Sequence, residues 1–149
     1  MTALAANSRR QQKADQGGVH KDARAVRTGQ VIYEGSMVAI VTSTGRLTVA
    51  DNVATVKDCL GIATQKVTGT TGGTVTCEFM TGHIELMNAA TAVTSAYIGC
   101  DVCAMDDDAV STGSAAGTAA LRCRVGKVLS LPSANKAWVW IGNFAGRYV

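Results

Sequence analysis

From Gly29 onward the chain is a series of short apolar segments between glycine-bearing turns, and their apolar residues recur with a period of two rather than about 3.6. Thr74 to Phe79 is the clearest case. Val75, Cys77 and Phe79 fall on one side of an extended chain, and Thr74, Thr76 and Glu78 on the other. Val31–Tyr33, Met37–Val41, Arg46–Val49, Cys59–Ala63, Ile84–Leu86, Asp101–Met105, Leu121–Val125 and Ala137–Ile141 are the other strand-length segments. Thr44-Gly45 joins the second and third of these as a hairpin. Thr68–Gly73, Thr81-Gly82 and Asp106–Asp108 read as turns, residues 88–96 as a loop or a single helical turn, and residues 111–118 as a low-complexity loop. Strands spaced about 8 to 15 residues apart with no amphipathic helix between them predict an all-β fold, a compact barrel or sandwich of short antiparallel strands.

Composition agrees. The 149 residues include 17 Val, 17 Thr and 16 Gly against one Pro, which favours strands joined by glycine turns. With 47% apolar and 17% charged residues, the chain is too apolar for a disordered segment and too weakly charged for a coiled coil. It has no apolar run long enough for a membrane helix and no apolar segment of the kind a secretory signal carries, so a soluble strand-rich domain is expected.

The net charge of +3 is concentrated in residues 1–28, where Arg9, Arg10, Lys13, Lys21, Arg24 and Arg27 face only Asp15 and Asp22. The remainder, with eight basic and nine acidic side chains, carries −1. Residues 1–28 therefore read as an extended basic N-terminal arm, and residues 29–149 as a single β-domain. A basic arm on a near-neutral body suggests an acidic partner. Its six basic side chains are candidate partner-binding residues. So are Trp138 and Trp140, which share one face of the last strand while Ala137, Val139 and Ile141 share the other. Neither face of that strand is polar, so both should be covered, one by the core and the other by a subunit or the returning chain, for example Phe144 and Tyr148.

The residues offer no catalytic set. Five cysteines, an odd number mostly within apolar alternation, point to reduced thiols acting as small hydrophobes. Cys100 and Cys103 fall on opposite sides of a strand, and with only His20 and His83 elsewhere no zinc set is completed. The aspartates at 106–108 lack the spacing of a calcium loop and read as a solvated turn. Thr68–Gly73 lacks the lysine and following helix of a phosphate cradle, and His83 reads as structural. No cofactor and no metal are expected. Aromatic residues are too few, and too far from the basic arm, for a single-strand stacking platform.

An ordered set of segments carries a resemblance. Ile32-Tyr33-Glu34-Gly35-Ser36-Met37-Val38-Ala39 is similar to the Tyr-Lys-Gly-x-x-Val-Ala opening of small bacteriophage head proteins. Leu60–Ala63, Thr71–Cys77 and Gly82–Leu86 resemble their next three segments, and Val93–Gly99 resembles their Val-Thr-x-Ala-x-x-Gly. Asp101–Asp107, Val125–Val128 and Trp138–Ile141 resemble the closing strands. The set spans residues 32–142 and resembles the capsid decoration, or cement, proteins. The resemblance implies a compact β-domain on the exterior of the virion, made in the host bacterial cytoplasm, with the major capsid protein as partner. It also implies a homo-oligomer (dimer or trimer), no enzyme activity and no membrane. Other readings are a tail or head–tail connector protein and, further off, a nucleic-acid-binding module using the arm.

Overall fold

The computed structural model describes the backbone of residues 21–51, 56–112 and 123–141, with side chains at all of these except 56, 57 and 90. The fold is all-β. Its strands are β1 (Lys21–Ala25), β2 (Val31–Ile32), β3 (Met37–Val41), β4 (Leu47–Val49), β5 (Val56–Ala63), β6 (Val67–Thr68), β7 (Thr76–Met80), β8 (Gly82–Asn88), β9 (Asp101–Ala104), β10 (Ala109–Ser111), β11 (Arg124–Ser133) and β12 (Lys136–Ile141). Two single 3-10 turns, Ala89–Thr91 and Ser95–Tyr97, interrupt them.

The strands form two principal sheets. One is a five-stranded sheet in the order β1-β7-β5-β3-β4, and the other a closed barrel in the order β10-β8-β12-β11-β9. The β2–β6 pair is a small third sheet. Every pairing is antiparallel except β10 with β8. The open sheet curls on itself: just beyond β1, Val26 bridges to Leu47 of β4, and the Arg27 amide donates to the Leu47 carbonyl at 2.8 Å. Curling hides edge backbone that would otherwise offer unpaired groups.

The apolar run Met37–Val41 is explained by burial on both faces. All five residues are buried, with Met37 and Ala39 joining the barrel core and Val38 and Ile40 joining a second core with Val26, Ile32, Leu47, Cys77 and Phe79. A strand covered on both sides has no use for a polar face. Beside it, β5 carries a bulge: Val38 pairs with Gly61 but Ala39 pairs with Cys59, leaving Leu60 as the extra residue. That insertion turns Cys59 to the same face as Ile62, and both join the barrel core.

Two local expectations change. Thr81 and Gly82 form no separate turn: Gly82 already begins β8, and the two residues carry the chain from β7 of the curled sheet into the barrel. The chain crosses between layers there, and Gly82 takes a φ of 134° that side-chain-bearing residues rarely adopt. The aspartate turn is not fully solvated either. Asp106 Oδ1 accepts from the amides of Asp108 and Ala109, both at 2.9 Å, as a local turn should. Asp107, however, is 2% exposed, and its carboxylate accepts from the Ser36 hydroxyl at 2.7 Å. Its carbonyl also accepts from the Met37 amide at 2.8 Å, which ties the barrel to the start of β3.

Candidate interaction surface

Strand β12 divides its residues between two environments. Ala137, Val139 and Ile141 point into the barrel core. Trp138 and Trp140 lie on the outer face, where the register sets Trp138 opposite Glu85 and Trp140 opposite His83. On the other side, Ser130 and Lys127 of β11 face Trp138 and Trp140. The His83 and Trp140 rings meet edge to face with centroids 5.0 Å apart, an arrangement that the ring quadrupole favours. At the end of the row Lys136 Nζ donates to Glu85 Oε1 at 2.7 Å. Trp138 and His83 are buried within the chain, and Trp140 is half-buried. The aromatic pair is thus set into a charged and polar surround, the composition of an anchoring patch.

Of the candidate basic residues, Arg9, Arg10 and Lys13 lie outside the described residues, as do Phe144, Tyr148 and the low-complexity loop from residue 113 onward. Lys21 and Arg24 sit on β1, which forms backbone pairs with β7 from Lys21–Met80 to Ala25–Thr76. The last eight residues of the 1–28 segment therefore lie in or against the sheet, with Val26 fully buried. Lys21 pairs with Glu78 at 3.4 Å and Arg24 with Asp22 at 3.8 Å. The Thr64 hydroxyl, and then Lys21, hold the Glu78 carboxyl below the usual carboxylate range. Arg27 is exposed and has no carboxylate partner among the described residues. Arg24 and Lys21 line the curled sheet while the tryptophans line the barrel, so the candidate residues form two surfaces rather than one.

No known protein family, curated protein or solved structure matches this chain.

Among the described residues no three His, Cys, Asp or Glu side chains are arranged to hold a metal ion. Cys59, Cys77, Cys103 and Cys123 are buried free thiols and Cys100 is an exposed one. Burial pushes Cys59 up to about 12, and Cys77 and Cys103 up to about 11. Cys123 is raised further, first by burial and then by neighbouring Cys59. Thiols held so far from ionisation are poor nucleophiles and poor ligands.

A shallow groove of about 460 Å³ lies at one end of the barrel, lined by Thr91, Val93, Thr94, Leu131, Ser133 and Ala134. Asn88 ties together two of its lining residues, Val93 and Ala134. Its amide donates to the Val93 carbonyl at 2.7 Å and the Ala134 carbonyl at 2.9 Å, while its oxygen accepts from the Val93 amide at 2.9 Å. Asn88 thereby braces the 3-10 turn against the β11–β12 turn, and Thr91 is held at a φ of 55°. The groove is lined by hydroxyls and small apolar groups, without a charged side chain.

Proposed function

We propose that this chain is a virion structural protein, a capsid decoration or cement protein that binds the outer surface of a phage head and stabilises the lattice of its major capsid protein. The observation that carries the reading is the ordered set of turn-and-strand segments between residues 32 and 142. Each falls on a strand or its flanking turn: Ile32–Ala39 runs from β2 into β3, Leu60–Ala63 ends β5, Gly82–Leu86 lies in β8, and Trp138–Ile141 in β12. An all-β body in which four of the five thiols are buried suits a protein that works by contact. The half-buried Trp140 next to Trp138 supplies an aromatic anchor, and the basic residues of the arm supply long-range attraction to an acidic surface.

The test uses phage heads assembled without the protein. The full chain, added back, should co-sediment with the heads in a fixed ratio to the major capsid protein and raise the temperature at which they release DNA. A chain lacking residues 1–20, which spares β1, should bind more weakly. Failure of the full chain to bind expanded heads, or its location on tails in imaged particles, overturns the reading.

A further inference from the structure

Three loops meet where the curled sheet closes: Arg27–Gln30 after β1, Thr42–Arg46 between β3 and β4, and Gly69–Val75 before β7. They are joined by backbone bonds from Arg27 to Leu47 at 2.8 Å and from Gly29 to Gly69 at 2.9 Å. Gly29, Gly45, Gly72 and Gly73 all have φ between 67° and 92°, so these loops depend on glycine for their paths. The residues between are hydroxyl-bearing, and the three loops contain no acidic residue.

They do contain two arginines. Arg27 and Arg46 lie on the neighbouring segments that the Val26–Leu47 bridge brings together, and neither has a carboxylate partner among the described residues. The Arg46 guanidinium is nonetheless held in place. Its Nη1 donates to the Thr28 hydroxyl at 3.2 Å, and that hydroxyl donates to the Thr70 carbonyl at 3.3 Å. On its other side it lies so close to Gly73 that a Cβ there would be 2.7 Å from Nη2. Like charges on adjacent segments oppose folding. A fixed guanidinium with no carboxylate partner among the described residues is pre-organised to pair with one.

We infer that this loop end is a recognition surface for carboxylates of an acidic protein segment, with Arg46 as the oriented fork and Arg27 as the second charge. An acidic protein fits better than nucleic acid. Two cations on neighbouring segments are too few to track a phosphate backbone, and none of the three loops carries an aromatic ring on which a base would stack. The inference does not depend on the partner being a capsid subunit.

The experiment titrates isotope-labelled full-length protein with a glutamate octapeptide, and separately with an oligothymidylate of equal charge, following backbone amides. The peptide should shift the amides of Gly29, Gly45, Gly72 and Gly73. Arg46→Gln with Arg27→Gln should weaken this about tenfold without altering amides elsewhere, and Arg46→Lys should recover only part of the loss because a lysine lacks the fork. Three results would overturn the inference: shifts confined to residues outside these loops, full binding by the double variant, or tighter binding of the oligonucleotide at these loops. Loss of head binding with intact peptide binding would count against the capsid reading alone.

Discussion

Arg124 of the barrel and Asp58 of the curled sheet are joined three times. The Arg124 amide donates to Asp58 Oδ1 at 3.0 Å, its Nε to the same oxygen at 3.3 Å, and its Nη2 to Oδ2 at 3.0 Å. The pair links residues 66 positions apart and is about a quarter exposed. It therefore combines a two-point ion pair with a backbone tether between the two sheets. Asp58→Ala removes all three bonds and should cost about 2 kcal/mol. Asp58→Asn keeps an oxygen for the amide and should cost about half as much. Urea unfolding of the two variants measures the difference.

Gly126 leaves no room for a side chain between β11 and β12. A Cβ there would sit 2.0 Å from the Trp140 carbonyl oxygen, a backbone atom that cannot swing away. At Gly61 the added carbon would be 2.5 Å from the Met80 carbonyl oxygen. Gly126→Ala and Gly61→Ala should each destabilise by about 2–3 kcal/mol through forced backbone shifts. Gly45→Ala meets no atom within 4 Å and pays only for its φ of 67°, so it should cost roughly 1 kcal/mol. Thermal melts that rank Gly45→Ala as the most damaging of the three would refute this account.

The thiols predict a reactivity order and a pH dependence. Cys100, the exposed cysteine, should be alkylated in the native protein while the other four wait for unfolding. Mass spectrometry after iodoacetamide should show one adduct native and five in urea. Burial raises Cys59 from 9.0 to about 12. Once the pH passes the ordinary thiol value, the unfolded chain loses protons that the folded chain keeps, so stability falls as pH rises. With Cys123 behaving likewise, these two groups alone should remove about 2–3 kcal/mol by pH 10, and Cys77 and Cys103 add to the loss. Cys59→Ala should reduce the loss by about 1 kcal/mol. A stability flat from pH 8 to 10 would contradict the burial of these groups.

The two tryptophans should separate fold from contact. Trp138 is 9% exposed, so Trp138→Ser should destabilise the isolated protein by about 3 kcal/mol or more. Trp140 is half-buried and meets His83 edge to face, so Trp140→Ser should leave most of the stability intact. If the outer barrel face makes the capsid contact, Trp140→Ser should lose most of its head binding at an unchanged fold. Equal binding by this variant and the parent would remove Trp140 from the interface.

Much of the strand content was legible in single segments. The alternation at Thr74–Phe79 assigns Cys77 and Phe79 to a core face, and both are buried on β7. The same reading separates Ala137, Val139 and Ile141 from the tryptophans of β12. Both faces follow from the residues alone because side chains on an extended chain alternate whatever the strand's partners are. The separation of the charge is equally local, since it needs only the positions of Arg9 to Arg27 along the chain.

Which strands pair, and what stands beside what, came only with the tertiary structure. Thr81-Gly82 has the composition of a hairpin turn, yet β7 and β8 enter different sheets because each finds its apolar face covered in a different core. Asp107 looks like any turn aspartate, and only the approach of Ser36 from 71 residues away gives its buried carboxylate a donor. Arg46 carried no signal of its own; it became the neighbour of Arg27 when Val26 bridged Leu47 and curled the sheet. Alternation is a property of one strand's backbone, whereas partners and neighbours are chosen by the burial of several strands at once. The periodicity of this chain therefore determined its longer apolar strands and their inner faces but not β1, β6 or β10, which carry too little alternation, and long-range packing alone decided its two sheets and the surfaces they assemble.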